Sequence, residues 1–496
     1  MKKGSYPYAR TCPDKRIVTS LLILCFIFSY GNLFSLAPGK DSLLLQETGT
    51  GPEEMVKVSS VEIIGNKITR DKIILREMMI LPGDSVQESD VEELLKKSRQ
   101  NLLNTSLFNF VDIVQEEESS GDVKIIISVI ERWYIWPTPI VKLGDRNFNV
   151  WWKTRDFGRL SYGFYVDWRN FRGRRENLIT RFQVGYDQLF DLQYSVPYLN
   201  RKKTLGGGFG SGFQGNHEVA YITKNNKQEF YRSRHGYAGQ DFFAYVQLQF
   251  RKNIYNTHLF ELRFDHQIFD DSLLLKNPSF STGGQTNLDY LTLHYKYKSD
   301  HRDFSPYPLM GYYFDFEAYK YGLGFEDKNA PDIFNLYTTF RKYWKFSKRI
   351  YYAAGLNCKF SSDKQQPYFL MKAVGYGRDV VRSYEYYVID GNSFGILKTN
   401  LKFALVNQRD GEFKFIRSEK FSKFYYALYT NLFLDMGYAY NPNKVSDLNN
   451  YLQNEFLLGF GLGIDFVTYY DIVMRFEYSV NRMWEQGFFI SFNAPI

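Results

Sequence analysis

Apolar and polar residues alternate one by one through most of this chain, from about Glu131 to the C-terminus. Leu160–Trp168 and Ile472–Arg482 are two of the clearest segments of this kind. Because successive side chains of a β-strand point to opposite faces, each segment has one apolar face and one polar face. The apolar faces are rich in Phe and Tyr, and the polar faces carry charges of both signs. This combination favours a β-barrel with lipid outside and water inside over a soluble sandwich.

Composition supports the same fold class. Aromatic residues make up 18% of the 496 positions, as expected where rings line the two interfaces of a membrane. Beyond the N-terminus there is no uncharged apolar run of about 18 residues, which argues against membrane-spanning helices. The net charge of +8 comes from dispersed Lys and Arg, so we expect no nucleic acid among the partners.

Residues 1–37 have the features of a secretory signal peptide, with basic residues followed by an apolar run and then small residues. Cleavage after Ala37 is disfavoured because Pro38 would follow it, so the cleavage site stays open. A membrane-anchoring helix is the alternative interpretation. Residues 38–55 contain Gly, Pro, Thr and Glu without periodicity, and we expect a linker there. Removal of the signal would leave Cys358 as the single cysteine, so no internal disulfide is expected.

Residues 56–132 break the alternating pattern and predict a small α+β domain. Ser89 and Glu92 have the spacing of a capping box at the start of its second helix. The predicted order is β-α-α-β-β, with elements at Val58–Ile64, Thr69–Met79, Ser89–Asn104, Phe110–Glu116 and Val123–Ile130. A domain of roughly 75 residues can bury a core of its own.

Four short motifs stand in order along this segment: Gly65-Asn66 after the first strand, Pro82-Gly83 between the helices, Leu107-Phe108 before the second strand, and Glu131-Arg132 at its end. With these motifs the segment resembles a POTRA (polypeptide-transport-associated) domain. An exposed strand edge of such a domain can pair with an extended client strand through backbone hydrogen bonds. The resemblance therefore implies that unfolded polypeptide binds here.

Residues 133–496 accommodate sixteen strands at roughly 22 residues per strand and connection. We therefore predict a mostly β protein in which a 16-stranded antiparallel transmembrane β-barrel follows the small domain. A short turn at Asn200–Lys203 and longer polar loops at His217–His235 and Asp271–Asn287 place both barrel termini and the small domain on one side. The predicted strands are Val141–Trp152, Leu160–Asn170, Leu178–Tyr186, Phe190–Tyr198, Leu205–Phe213, Gln240–Phe250, His258–Phe269, Leu288–Lys298, Tyr312–Tyr321, Phe334–Trp344, Ile350–Phe360, Phe394–Val406, Tyr425–Tyr438, Phe456–Phe466, Ile472–Arg482 and Gln486–Asn493.

The most specific local motif is Val381-Arg382-Ser383-Tyr384, in the long connection between two predicted strands. A second motif, Phe433-Leu434-Asp435-Met436-Gly437, lies within a predicted strand. Strand parity turns Phe433, Asp435 and Gly437 into the lumen and the intervening residues to the apolar face. A lone carboxylate in the lumen needs a cation or water, and an arginine carried inward on the loop could supply a bidentate pair.

These two motifs resemble the hallmark pair of the BamA/TamA/FhaC superfamily of outer-membrane insertases and secretion pores. In that family, an arginine in a V-R-G-F/Y loop folds back inside the barrel and contacts the aspartate of an F-x-D-x-G motif. The resemblance implies a lumen latch in which Arg382 is the cation and Asp435 is its partner. It also implies that Tyr384 stacks beside the pair and that Phe433 and Gly437 shape its seat.

Two residues depart from the family pattern. Ser383 stands where the family has glycine, so a positive φ at this position would cost about 1 kcal/mol. Lys402 stands where an acidic residue is expected, so Arg382 is predicted to have one carboxylate partner rather than two. The alternative interpretation is a surface-loop arginine together with an unrelated aspartate of the lumen.

No motif weighed in the chain predicts catalysis or cofactor binding. Gly210–Gly215 fits the letters of a dinucleotide-binding motif, but it stands in an alternating strand with no helix after it. The six His residues show no metal-ligand spacing. We therefore expect no enzyme activity, no metal and no cofactor.

The resemblance implies an outer-membrane protein whose POTRA-like domain lies in the periplasm. The implied function is assembly or insertion of outer-membrane proteins, or polypeptide translocation, through POTRA strand capture and a lateral seam in the barrel. The first strand, near Asp145–Trp152, alternates weakly, so its pairing is expected to be the least stable in the wall. Implied partners are outer-membrane lipid, unfolded outer-membrane or secreted polypeptides, and accessory assembly proteins. The alternative is a passive channel, a structural barrel or a lipid exporter without insertase activity.

Overall fold

The computed structural model describes residues 55–119, 121–143, 157–324, 329–362 and 365–492. The predicted signal peptide (1–37), nearly all of the linker (38–55) and the segment Asp145–Trp152 lie outside the described residues. Within these ranges, no helix is long and apolar enough to cross a membrane.

The N-terminal domain is a four-stranded sheet covered by helices. Its elements are β1 (Met55–Ile64), α1 (Asp71–Leu75), β2 (Ser85–Gln87), α2 (Glu88–Asn104), β3 (Phe108–Glu117) and β4 (Val123–Glu131). The strand order is β2-β1-β4-β3, and β1 runs parallel to β4. Ile74 of α1, Leu102 of α2, and Ile125 and Ile127 of β4 are fully buried in one apolar core. The domain therefore has its own hydrophobic core, as the sequence predicted.

Two details of this domain differ from the prediction. Backbone pairing of β2 with the start of β1 holds the chain extended as far as Gln87, so α2 begins at Glu88. Gln87 is the N-cap and makes no side-chain cap, so the predicted capping box of Ser89 and Glu92 is wrong. The first helix is also shorter than predicted and spans only Asp71–Leu75. Its predicted first residue, Thr69, instead donates its backbone N–H to the Glu131 carboxylate (2.6 Å).

The rest of the chain forms a 16-stranded antiparallel sheet in which each strand pairs with its sequence neighbours. A separate hairpin, β10–β11, is inserted between β9 and β12. The strands are β5 (Ile135–Leu143), β6 (Leu160–Phe171), β7 (Glu176–Gly185), β8 (Gln188–Val196), β9 (Leu205–Asn216), β10 (Glu218–Lys224), β11 (Lys227–Arg232), β12 (Gly239–Phe250), β13 (Asn256–Phe269), β14 (Asn287–Asp300), β15 (Gly311–Tyr321), β16 (Ile333–Lys345), β17 (Ile350–Ser361), β18 (Ser393–Glu412), β19 (Lys423–Tyr440), β20 (Phe456–Thr468), β21 (Val473–Asn481) and β22 (Gln486–Ser491).

The sheet curls into a barrel, and its faces have the predicted parity. Along β19, Leu432 and Leu434 are exposed on the outer face, whereas Phe433 and Asp435 are buried in the lumen. The ring of Trp136, on β5, lies 5.4 Å from that of Tyr470 in the turn between β20 and β21, so the two ends of the sheet come together. The fold class predicted from the alternation is confirmed.

The first barrel strand is the exception. It was predicted near Val141–Trp152, but β5 lies at Ile135–Leu143 and pairs in register with β6. This strand was not predicted at its observed position because it contains Pro137 and Pro139. Proline lacks the N–H group that a β-ladder requires, so its presence argues against a strand. Proline is tolerated on an edge strand, with its nitrogen turned away from the paired neighbour.

Both long loops predicted as surface loops contain secondary structure. The segment His217–His235 holds the β10–β11 hairpin, whose turn residues Asn225 and Asn226 have positive φ. The segment Asp271–Asn287 holds a short helix, α3 (Asp271–Lys276). The hairpin bends over the barrel end remote from the N-terminal domain, where the Asn226 N–H donates to Asn450 (2.9 Å). The far mouth is therefore covered by structured segments.

Candidate functional site

The predicted latch motif lies inside the barrel. It belongs to the connection between β17 and β18, which folds inward and is pinned by an antiparallel bridge between Val374 and Ile389. Val381, Arg382 and Tyr384 are buried, and Val381 and Tyr384 pack in an apolar cluster with Ile389. The motif is thus not on a surface loop.

Arg382 and Asp435 form a bidentate ion pair. The family resemblance implied that these two residues would be in contact. The guanidinium donates from Nε to Asp435 Oδ2 (2.8 Å) and from Nη2 to Oδ1 (2.5 Å). The backbone N–H of Arg382 donates to Oδ2 as well (3.2 Å). Asp435 is fully buried, so these donors replace the water that the carboxylate has lost.

The guanidinium has a second carboxylate partner, which the sequence analysis missed. Nη1 donates to Asn400 Oδ1 (2.8 Å) and to Glu477 Oε1 (3.2 Å), while Nη2 also donates to the Thr399 carbonyl (3.2 Å). These contacts and the two bonds to Asp435 occupy all five N–H donors of the side chain. The prediction of a single carboxylate partner is therefore wrong, because Glu477 on β21 also contacts Arg382. A contact across the lumen leaves no signal in the local sequence, so Glu477 could not be predicted.

Phe433, rather than Tyr384, makes the aromatic contact with Arg382. The Arg382 guanidinium lies 3.8 Å from the centre of the Phe433 ring, a cation–π contact. The chain turns at Ser383 with a φ of 79°, the left-handed conformation that the glycine of the family motif would adopt freely. Beyond this turn, Tyr384 packs in the apolar cluster, and its hydroxyl accepts the N–H of Leu458 (3.4 Å).

Two glycines allow the motif to approach the wall. A Cβ on Gly437 would lie 2.5 Å from Val381 Cγ2, and a Cβ on Gly459 would lie 1.9 Å from the Arg382 carbonyl oxygen. Gly437 was predicted from the sequence as part of the site, whereas Gly459 was not. The run Gly459, Gly461 and Gly463 on the lumen side of β20 was the available signal, since glycine in a strand often marks a close backbone approach.

Lys402 also lies in the lumen, on β18, at 1% exposure. Its ammonium lies 4.0 Å from the centre of the Tyr307 ring, and Nζ makes no hydrogen bond to any described residue. Lys402 is therefore not part of the Arg382 network.

One further motif was overlooked in the sequence. Gly391–Gly395 fits the letters G-x-S-x-G, the pattern of a serine nucleophile at a strand-to-helix turn. Here Ser393 opens strand β18 instead, and its hydroxyl accepts the backbone N–H of Ser361 (3.3 Å). The context required for such a nucleophile is absent at this strand start.

A second site, also missed, joins the N-terminal domain to the barrel rim. Glu77, which follows α1, is 1% exposed and accepts two bonds from Arg251 (2.5 and 2.7 Å). Arg175 (3.1 Å) and the Tyr198 hydroxyl (3.0 Å) donate to the same carboxylate. Burial raises the pKa of Glu77, but hydrogen bonds and charge from Arg251 and Arg175 outweigh it and lower the pKa to about 2.

Further contacts of the domain reach other turns of the same rim. Arg132 forms a bidentate pair with Asp471 in the β20–β21 turn (2.7 and 2.8 Å). Asn104 accepts the Ser305 N–H in the β14–β15 turn (2.8 Å), and Asn109 donates to the Lys420 carbonyl beyond β18 (2.9 Å). Together with Glu77, these residues fasten the domain across the near mouth of the barrel.

Comparisons with known proteins give one matching family model and several similar solved structures. Residues 56–132 match the family model described as POTRA, surface antigen variable number repeat. Similar solved structures are BamA from Haemophilus ducreyi lacking POTRA domains 1–3 (15% identity, TM-score 0.47, 88% of this chain and 83% of that chain), CdiB from Acinetobacter baumannii (12%, 0.47, 89% and 74%) and CdiB from Escherichia coli (12%, 0.45, 98% and 98%). No curated protein matches the sequence. Residues 56–132 are thus identified as a POTRA domain. In the part of the chain that the structure describes, this domain is followed by a 16-stranded barrel, which is the architecture that the BamA/TamA resemblance implied.

Proposed function

We propose that this chain is an outer-membrane protein that inserts polypeptides into the outer membrane or moves them across it, with its POTRA domain in the periplasm. The outer face of the barrel supports the membrane placement. Side chains such as Val246 (59% exposed), Leu432 (58%) and Leu262 (39%) present apolar surface outward. A wall of this kind is stable where lipid covers it.

The observation that carries the proposed mechanism is the seam between β5 and β22. Among the described residues, these end strands have no backbone ladder between them, although every other neighbouring pair in the wall has one. Pro137 and Pro139 remove two N–H donors from β5, and β22 is only six residues long. The seam is therefore the place where the wall opens at the smallest cost, and where a client strand can pair.

The POTRA domain offers a second edge to an extended client. Strand β2 pairs with β1 only at Met55–Lys57, so on that side the backbone from Ser59 to Ile64 has no strand neighbour among the described residues. Backbone pairing at this edge would capture a polypeptide with little regard to its sequence. This arrangement supports unfolded outer-membrane or secreted polypeptides as partners.

The two covered mouths favour a gated wall over a passive channel, which is the second candidate function. The POTRA domain lies across the near mouth, and the β10–β11 hairpin reaches over the far one. The Arg382 segment fills part of the lumen between them. A freely open pore would need a continuous aqueous path between these three obstructions.

A disulfide across the seam tests the mechanism. In a Cys358→Ser background, Thr138→Cys on β5 would be combined in turn with Gly487→Cys, Phe489→Cys or Ser491→Cys on β22. The pair that cross-links should abolish assembly activity while leaving the barrel folded, and reduction should restore it. Activity would be read as recovery of outer-membrane protein levels in cells depleted of the native protein.

The matched control is Ser479→Cys with Gly487→Cys, which face each other in the intact β21–β22 ladder. This second cross-link leaves the seam free, so activity should persist. Full activity of the seam-locked protein would contradict the gate.

A further inference from the structure

A cavity of about 560 Å³ lies in the lumen, between the wall and the inward-folded connection that carries Arg382. It adjoins a second cavity of about 500 Å³, with which it shares Arg302, Arg341, Asn357 and Arg378. Six cationic side chains line the larger cavity, against three carboxylates. The cavity therefore has an excess of positive charge.

Pairing inside the cavity increases this imbalance. Asp471 is held by Arg132, and Glu477 by Arg382 and Arg475, so two of the three carboxylates are already neutralised. Only Glu385 is left without such a partner. Of the cations, Arg302 has its own carboxylate in Asp300, and Arg382 has Asp435.

Three cations of the cavity have no carboxylate within 4.0 Å among the described residues: Arg341, Arg378 and Lys398. Asp435 on β19 faces Lys398 on β18, but both of its carboxylate oxygens accept hydrogen bonds from Arg382. The nearby Asp379, on the side of the second cavity, accepts the Asn357 amide (3.2 Å). Arg378 is exposed to the lumen, and Arg341 and Lys398 are half-buried, so all three cations can be reached by an anion that enters the cavity.

Strand register places two of these cations around a glycine. Arg341 on β16 faces Gly355 on β17, and Gly355 faces Lys398 on β18. The Cα atoms of Arg341 and Lys398 are thus two strand spacings, or about 10 Å, apart. Gly355 contributes no side chain between them, so a small anion can sit over its backbone and accept from both. Arg378 lines the same space from the inward-folded connection.

The cavity also borders the seam. Phe489, Ile490 and Ser491 of β22 line it, and β22 has no ladder on its outer edge among the described residues. On the lipid side of the same strand, Phe488 is 61% exposed. An amphiphile at the seam could therefore keep its chains against this apolar surface while its headgroup reaches the cations.

We propose that Arg341, Gly355, Arg378 and Lys398 form a binding site for the phosphate ester of a lipid headgroup that enters through the seam. A guanidinium fork and an ammonium suit the several oxygens of a phosphate. The three cations set against Glu385 leave two positive charges, which match the charge of about −2 on a phosphate monoester. The site rests on the outer-membrane placement of the proposed function but not on polypeptide transport. It is tested by binding alone, so either idea can fail without the other.

The test uses the purified full chain in a neutral detergent and calorimetric titration with dihexanoyl phosphatidic acid. Dihexanoyl glycerol, which lacks the phosphate, and inorganic phosphate are titrated in parallel. The phosphatidic acid should bind and the glycerol should not. Arg341→Gln, Lys398→Gln and Arg378→Gln should each weaken phosphatidic acid binding about tenfold, the size expected for one charge-assisted hydrogen bond.

Lys342→Gln is the matched control, because it removes the same charge one residue from Arg341 on the opposite face of β16. Its binding should equal that of the native chain. Arg378 lies in a connection rather than in the wall, so its variant keeps the test valid if a wall variant fails to fold. Equal binding of phosphatidic acid by the three cavity variants and the control would overturn the proposed site. If phosphatidic acid bound no tighter than inorganic phosphate, the proposal that the bound phosphate belongs to a lipid would be overturned.

Discussion

Arg382 shows how a buried charge is made tolerable inside the lumen. Its five donors reach two carboxylates, one amide and one backbone carbonyl, and Phe433 covers one face of the guanidinium. This network is costly to break, because Asp435 would stay buried without its counter-charge and the Asn400 amide oxygen would lose its donor. Whether the network acts as a latch in the working protein stays a prediction.

Arg382→Ala should destabilise the folded barrel by about 3–5 kcal/mol, since it leaves Asp435 buried without its cation. The measurement is urea unfolding of the protein in lipid vesicles. Arg482→Ala is the control, because Arg482 pairs with Glu455 in water, with both side chains about half exposed. Its effect should be at most about 1 kcal/mol. A loss for Arg382→Ala no larger than the control would contradict the network.

At the residue scale, the sequence predicted Arg382 with Asp435 but not Glu477 or Glu77. The first pair belongs to two motifs whose spacing and strand parity can be read locally. Glu477 faces Arg382 only because β21 and the inward connection meet across the lumen. Glu77 lies beyond a short helix, and its three donors come from three different turns of the barrel. Contacts of this kind are fixed by tertiary register alone.

At the scale of elements, the contact between the POTRA domain and the rim is set by Glu77, Arg251 and Arg175. A carboxyl group whose pKa falls to about 2 in the folded state, from 4.5, binds fewer protons than in the unfolded chain. Stability from this group is therefore complete above pH 4.5 and is lost as the pH falls toward 2. The shift corresponds to roughly 3 kcal/mol at neutral pH.

We therefore expect Glu77→Gln to lower stability at pH 7 and to flatten its dependence on pH between about 4.5 and 2. The measurement is thermal unfolding of both proteins across this range. The difference between native and variant protein should shrink as the pH falls. A difference that is constant with pH would show that Glu77 is not held as an ionised carboxylate.

The elements also show where alternation works as a signal and where it does not. Fifteen of the sixteen predicted barrel strands stand where the pattern put them, because the wall separates two environments residue by residue. The position of strand β5 was not predicted because Pro137 and Pro139 argue against a strand there. The β10–β11 hairpin was not predicted because it lies outside the barrel wall and has no lipid-facing alternation. Its Asn225-Asn226 turn could have indicated a hairpin.

At the scale of the whole molecule, the described segments cover both mouths of the barrel, and the proposed opening lies along its side. The native protein should therefore conduct poorly in a planar bilayer. Combining Glu77→Gln with Arg132→Ala removes the two charge contacts that hold the POTRA domain across the near mouth, so conductance should rise. Lys97→Ala, which breaks an exposed pair with Glu93, should leave conductance unchanged. High conductance in the native protein would favour the passive channel.

The central claim is that this protein serves the assembly or passage of other polypeptides, and depletion tests it most directly. Cells would be depleted of the protein, and the outer-membrane and secreted proteomes would be quantified by mass spectrometry. We expect selective loss of one or more barrel or secreted proteins, restored by the native chain but not by the seam-locked form. Unchanged levels of every barrel and secreted protein after depletion would contradict the account.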